Sequence, residues 1–436
     1  MHSPKTRICA LLALVCTVAL LPTAALAADR ALQYVALPQG SYSAAAKSVP
    51  SGGYAENQWV QGTNPFTGLP WEGIYLPVMV NIDTDPLARP NLGVYDADVI
   101  YELPLHRQGH TRSVALFLSN IPLQAGPVRS ARIPMLEIRE EFQAGYVFYG
   151  TQEYKGVAVK EYLRNIHREL WDKNSFIYPL VDGLVARYAN YFDSMRGYVG
   201  PHNKAIRLLE IHNAAAKDAP AMRPWNFSDA GLDHGAGVYY ISMETRPDFI
   251  PSYRYNEATR SYDRYYNGEP FIDGNNGAQC SYANVLILRT AVSWYRNRPD
   301  APLVPVTGQG DADIFMNGRY IRGTWVRAVD KKGDAAKDIA ARTVILDDQG
   351  QELALLPGKT FIHYIDMATE VAVGIDPSEG TAIQGATAVV TPAPTDTPKP
   401  TRTPRPTRTP KPDAPIAAEE TPAPFVPEEG DESFGG

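Results

Sequence analysis

Two textures of apolar and polar positions divide the middle of the chain. In the first, Leu76 to Ile82, Asp98 to Leu103 and Val114 to Ser119 are short runs rich in Val, Ile, Leu or Phe with turn residues between them, and they predict strands. After Gly126-Pro127 the period lengthens. Ile133, Leu136, Ile138 and Phe142 are apolar while Glu137, Arg139, Glu140 and Glu141 are polar, the pattern of an amphipathic helix. Tyr146 to Tyr149 reads as a strand, and Val157 to Leu170, Leu180 to Met195 and Lys204 to Lys217 fit helices. From Gly237 onward, aromatic residues alternate with polar ones. Ser252 to Asn267 predicts two strands around a short loop, with a turn at Asn267-Gly268. Further strands fit Asn284 to Arg289, Asp313 to Met316, Tyr320 to Ala328, Thr343 to Asp347 and Thr360 to Ile365. The predicted class is α+β (α/β): a mixed α/β region over 64–236 and a mostly antiparallel β region over 237–368.

The two ends carry other signals. Lys5 and Arg7 precede an apolar run from Ile8 to Leu21 and then Ala25-Leu26-Ala27, which predicts a secretory signal peptide over 1–27. Cys9 and Cys16 lie inside it, so of three cysteines only Cys280 remains after cleavage, read here as a small buried hydrophobe. Residues 28–63, rich in Ala, Ser, Gly and Tyr, read as a linker. Residues 369–436 read as a disordered Thr/Pro-rich tail, whose stretch TPKPTRTPRPTRTPKP has no apolar face. As polyproline II at ~3.1 Å per residue, its proline-rich part reaches on the order of 100 Å, a spacer suited to a cell wall.

Charge sharpens this division. The 436 residues carry 41 Lys plus Arg and 48 Asp plus Glu, a net charge of -7. From Thr369 onward there are 11 acids and 5 bases, and the leader adds two bases, so the body is nearly neutral. Nucleic acid is not an expected partner. Membrane contact is expected only transiently, through the signal peptide.

Several motifs resemble the YerB-like family, extracytoplasmic bacterial proteins, many of them lipoproteins, built from a domain of unknown function and a C-terminal companion. The resemblance rests on Asn64-Pro65-Phe66-Thr67-Gly68-Leu69-Pro70, on Pro77 to Asp83, on Gly93 to Glu102, on Thr111-Arg112, on Gly126 to Arg132 (GPVRSAR) and on Pro201-His202-Asn203. It continues in Tyr265 to Gly268, Gly308-Gln309-Gly310, Asn317-Gly318, Gly323-Thr324-Trp325 and Pro357 to Thr360. It implies a layered β-β-α sandwich of two interlocked regions, and no particular activity.

The candidate chemistry is a group of arginines, Arg89, Arg112, Arg129 and Arg132, joined by Ser130, His202 and Asn203, with Asp83 and Glu102 as nearby carboxylates. Guanidinium forks match carboxylate or phosphate oxygens, so the group predicts an anion site. The bland alternative is internal pairing with Asp83, Asp85, Asp96, Asp98 or Glu102. A hydrolase would use His202 as acid or base with Asp83 or Glu102. Ser130 sits where a helix N-cap is expected rather than in a nucleophile elbow. His106 and His110 lack the helical spacing of a metal pair, and Gly308 to Asp313 reads as a hairpin connection; no metal or cofactor is expected. The aromatics from Tyr253 to Phe271, with Trp294 and Trp325, fit either sugar stacking or cross-strand packing. The expected function is that of a secreted, envelope-associated protein binding an anionic wall glycan or polymer. The alternatives are an envelope glycan or phosphodiester hydrolase, or a module that binds an envelope protein.

Overall fold

The strand Val78–Asp83 is buried along its whole length, as expected for an apolar run placed inside a sheet with both faces covered. A computed structural model of the protein describes residues 30–40, 54–166, 180–215, 222–327, 341–380 and 382–389. The signal peptide, the Pro-rich repeat, Cys9, Cys16 and the distal ends of the Val157 and Lys204 helices lie outside the described residues.

In the main sheet Val78–Asp83 lies between Thr111–Phe117, antiparallel, and Gly145–Phe148, parallel. Beyond Thr111–Phe117 come Val99–Pro104, Thr360–Asp366 and Asn284–Thr290, then Gly308–Met316, Arg319–Arg327 and Thr343–Leu346. The N-terminal and C-terminal regions thus share one sheet, joined where Thr360–Asp366 runs parallel to Val99–Pro104. Its two faces pack against different layers. Met79, Tyr101, Val114, Leu116, Ile362 and Trp325 pack with Met135, Leu136 and Ile138 of the helix Ile133–Phe142. On the other face Val80, Ile100, Ala115 and Phe361 meet Ile241, Tyr253 and Tyr262 of a second sheet. That second sheet contains Ala236–Ser242, Pro251–Asn256 and Ser261–Tyr266. The result is a β-rich α+β fold, the predicted class.

Most of the predicted strands appear within a few residues of their expected positions. Leu180 to Met195 is the main exception. It forms a short strand Leu180–Asp182 beside Gly145–Phe148, a single helical turn Ala186–Ala189 and a second strand Phe192–Ser194. Pairing with a neighbouring edge outweighs a local helical pattern already interrupted by Gly183. Lys204–Ile206 is likewise a strand, and the helix begins only at Leu208. Gly308-Gln309-Gly310 opens a strand rather than forming a connection. The segments read as linker and tail also contribute to the sheet. Gln33–Ala36 pairs antiparallel with Ala372–Ile375, burying Val35, Ala36, Val371 and Val373. Four-residue strands are too short to show a period, and these two are held by partners at opposite ends of the chain. The helix Ile133–Phe142 hides its charged side as well: Arg139, Glu140 and Glu141 are buried. The Glu141 carboxylate accepts hydrogen bonds from Thr343 N and Oγ1 at 2.7 and 2.8 Å.

The Asn64 motif is structural. Asn64 is fully buried; its Oδ1 accepts from Phe66 N and Thr67 N, and its Nδ2 donates to Asp98 Oδ1 and Ser119 Oγ. Asp98 Oδ2 in turn accepts from Leu118 N and Ser119 N, so one amide ties the entry turn to two strands. Asn64→Ala leaves buried donors and an acceptor unmet and is expected to lower the unfolding free energy by about 2–3 kcal/mol. Urea unfolding of the variant beside the parent protein measures this.

Candidate functional site

Alternation along the strand Thr111–Phe117 sends successive side chains to opposite faces, and this decides where the charged groups meet. Arg112 shares the helix-facing side with Val114 and Leu116. It lies opposite Asp83, the last residue of the neighbouring strand. Asp83 is 2 % exposed, and its Oδ2 lies 3.1 Å from Arg129 Nε and 2.7 Å from His202 Nδ1. Burial pushes the Asp83 carboxyl up, but Arg112, Arg129 and His202 outweigh it and hold the group below the usual carboxylate range.

Two segments bring the remaining groups to this point. Gly126 to Arg132 runs extended along the sheet, with Val128 bridged to Ile82 and Asp83 N donating to Pro127 O. The turn before His202, closed by His202 N to Val199 O at 2.8 Å, holds the imidazole against Asp83. Asp83, Arg112, Arg129, Arg132 and His202 line a cavity of about 220 Å³. Among the described residues neither Arg112 nor Arg132 forms an ion pair. Arg132 donates to the carbonyls of Ser130 and Ala131. Arg112 is 3 % exposed, and its Nε and Nη1 are buried without a hydrogen-bond partner. Burial, reinforced by Arg132 and Arg129, pulls Arg112 down to about 9 despite Asp83, which leaves it charged at neutral pH. Asp85 and Asp300 also border the cavity but are engaged elsewhere: Asp85 accepts from Leu87 N, and Asp300 accepts from Tyr154 Oη and lies 3.6 Å from Arg298.

Four of the residues expected in this group lie apart from the cavity. Arg89 donates to Thr84 O and stacks over Tyr266, 3.8 Å from the ring centroid. Ser130 donates its hydroxyl to Tyr149 O, and the helix N-cap is Arg132, whose side chain makes no capping bond. Asn203 is half-buried, and its carbonyl accepts from Met195 N at 2.8 Å. Glu102 points to the opposite face of the sheet, beside His363 on the adjacent strand. It accepts from Arg264 at 2.7 Å, from Tyr266 Oη at 3.0 Å, from Thr111 Oγ1 at 3.1 Å and from Ser113 Oγ at 3.2 Å. Burial raises the Glu102 carboxyl, yet Arg264 prevails and holds it at about 2. The hydrolase combination of His202 with Glu102 is therefore not assembled, whereas His202 with Asp83 is.

Glu102 and His363 form part of the wall of a second cavity of about 530 Å³, which shares His106, His110 and Thr111 with the first. Among the described residues no cluster of three or more His, Cys, Asp or Glu side chains is arranged to hold a metal ion. Cys280 is buried, and burial pushes its thiol up to about 12. Tyr253, Tyr262, Tyr266, Phe271 and Trp325 are core residues, while Trp294 is half-buried and lines the larger cavity.

Residues 66–220 match the N-terminal domain, and residues 240–362 the C-terminal domain, of the family described as protein of unknown function DUF3048. The chain belongs to this family. It is 24% identical over 313 residues to "Putative lipoprotein YerB" of Bacillus subtilis (strain 168), a match covering 69% of this chain and 85% of that protein. The crystal structure of YerB protein from Bacillus subtilis superposes with a TM-score of 0.56 at 21% identity, covering 71% of this chain and 99% of that one, which shows a shared fold.

In this DUF3048 protein, sequence reasoning missed Arg264 and His363. Arg264 occupies an inward position between Tyr262 and Tyr266 on an alternating strand, and that alternation was the available signal. Burial drives the His363 imidazole down to about 3, so it stays neutral in the folded protein while an unfolded chain takes up a proton near pH 6.5. Stability is therefore lost as pH falls from about 6.5 towards 3, and the depressed Glu102 adds loss in the same direction below about pH 4.3. Urea unfolding between pH 7 and pH 4.5 is expected to show a smaller pH slope for His363→Gln than for the parent protein.

Proposed function

We propose that this protein acts outside the cytoplasm and binds an anionic group of an envelope glycan or polymer in the Arg112–Arg129–Arg132–His202 cavity. The observation that carries this reading is Arg112: a charged guanidinium, almost wholly buried, with two nitrogens unbonded in the wall of an open cavity. Leaving such donors unmet costs about 1–3 kcal/mol each, more for charged groups, and an oxyanion seated between the arginines removes that cost. Asp83 neutralises one guanidinium by direct contact through Arg129, so Arg112 and Arg132 retain charge for a ligand. The location is supported by the leader sequence and by the name of the Bacillus relative.

A hydrolytic reading draws on one observation, the His202–Asp83 contact at 2.7 Å, which orients an imidazole beside the arginines. Ser130, its candidate nucleophile, is bonded to Tyr149 O and does not line the cavity. Binding without turnover is the better-supported reading.

Arg132→Ala removes a half-buried side chain that donates to the nearby carbonyls of Ser130 and Ala131, so the fold is expected to persist. Its retention on purified cell walls, and that of Arg129→Ala, is expected to fall at least tenfold in a pull-down, with unchanged circular dichroism. Undiminished retention of both variants overturns the anion reading, and release of soluble wall fragments by the parent protein favours the hydrolase.

A further inference from the structure

The basic cavity does not stand alone. Thr111 and Arg112 are consecutive, and their side chains leave the strand on opposite faces, Thr111 towards Glu102 and Arg112 towards Asp83. Both residues lie at the end of the sheet, where the His106–His110 turn borders both cavities. The two cavities are therefore neighbours around one strand end, and they differ in charge.

The larger cavity is bordered by Glu244, Asp366 and Glu370, with Arg107 as its one lysine or arginine among the lining residues. Glu102 also lines it, but its charge is matched by Arg264. The Asp366 carboxylate accepts from Val292 N and Ala368 N. Glu244 and Glu370 are exposed, and among the described residues they form no ion pair. The half-buried Trp294 supplies a flat apolar wall beside them, with the Arg107 guanidinium 5.9 Å from its ring centroid. At 530 Å³ the space falls within the range of sites that hold small organic ligands. An anion large enough to occupy both lobes would meet carboxylates in the second. A ligand that is anionic at one end and cationic at the other meets complementary charge in each, which favours it over a plain anion.

Resting on the anion reading above, we infer that the natural ligand is zwitterionic: a phosphate-type oxyanion seated at Arg112, Arg129 and Arg132, joined through a sugar-sized spacer to a protonated amine among Glu244, Asp366 and Glu370. Phosphate suits the basic lobe because two guanidinium groups, on Arg112 and Arg132, have no ion pair there, and a dianion matches them. The amine carries the discrimination, since a neutral hydroxyl at the same place gains a hydrogen bond but no charge attraction.

Calorimetric titration of the full-length mature protein with inorganic phosphate, glucose 6-phosphate and glucosamine 6-phosphate tests this. Glucosamine 6-phosphate is expected to bind about fivefold or more tighter than glucose 6-phosphate, the scale of one or two partly exposed ion pairs. The double variant Glu244→Gln, Glu370→Gln changes only exposed side chains. It is expected to bind inorganic phosphate as the parent does and to lose the preference for the amino sugar. Equal affinity for the two sugar phosphates, or a preference that survives in the double variant, overturns the zwitterion inference while phosphate binding upholds the anion site. Failure of all three probes to bind overturns both readings.

Discussion

A carboxylate taken out of water into a protein interior costs several kcal/mol unless cations and donors meet it. Among the carboxylates that this chain buries in its main sheet are Asp83 and Glu102, each at 2 % exposure and both at one end. They sit on strands either side of Thr111–Phe117 and face opposite ways. Much of the surrounding architecture answers this constraint. The second sheet contributes Arg264 and Tyr266 to Glu102, and the segment Gly126 to Arg132 together with the His202 turn contributes Arg129 and His202 to Asp83. The two regions of the chain are locked together partly because a carboxylate from the first requires a guanidinium from the second.

The two solutions differ in balance, and the difference separates structure from function. Glu102 receives one arginine, one tyrosine hydroxyl and two side-chain hydroxyls, in a layer whose aromatic rings cover Arg264; Phe361 lies 3.8 Å from that guanidinium. Its charge is matched within the fold. Around Asp83 the cations exceed what one carboxylate needs, and the surplus borders open space. Arg112 helps to hold Asp83 ionised, yet its Nε and Nη1 are buried beside the open cavity without a hydrogen-bond partner, a cost that neutralising Asp83 with Arg129 and His202 does not require.

Sequence reasoning located the strands of the main sheet because continuous apolar runs in fully buried strands are strong local signals, as at Val78–Asp83 and Asn284–Thr290. It also brought together Asp83, Arg112, Arg129, Arg132 and His202 from motif positions spread over more than 100 residues. Elsewhere the local signal was overruled by partners distant in sequence. Gln33–Ala36 is a strand because Ala372–Ile375 and Thr387–Ala388 pair with it, and Ala372–Ile375 is held between Gln33–Ala36 and Ala236–Ser242. Leu180–Asp182 is a strand because Gly145–Phe148 offers an edge. Glu102 was grouped with the arginines because sequence distance says nothing about which face of a sheet a side chain takes relative to its neighbours. One residue of register separates it from the Arg112 side, and period-two alternation converts that single step into a different layer.

The same alternation bears on the His202–Asp83 contact. A carboxylate that orients a catalytic imidazole usually strengthens it as a base by stabilising the imidazolium. Here Asp83 Oδ2 is shared between His202 Nδ1 and Arg129 Nε, with Arg112 on the adjoining strand, so much of its negative charge is already engaged. Its depressed pKa records that engagement: a carboxylate held by cations has less to offer an imidazolium. With Nδ1 turned to Asp83, the remaining nitrogen of His202 is free to serve as a further polar contact in a cavity already rich in guanidinium donors. The constraint that obliges the fold to surround Asp83 with cations thus leaves guanidinium donors bordering the cavity, and it is on these that the proposed anion binding rests.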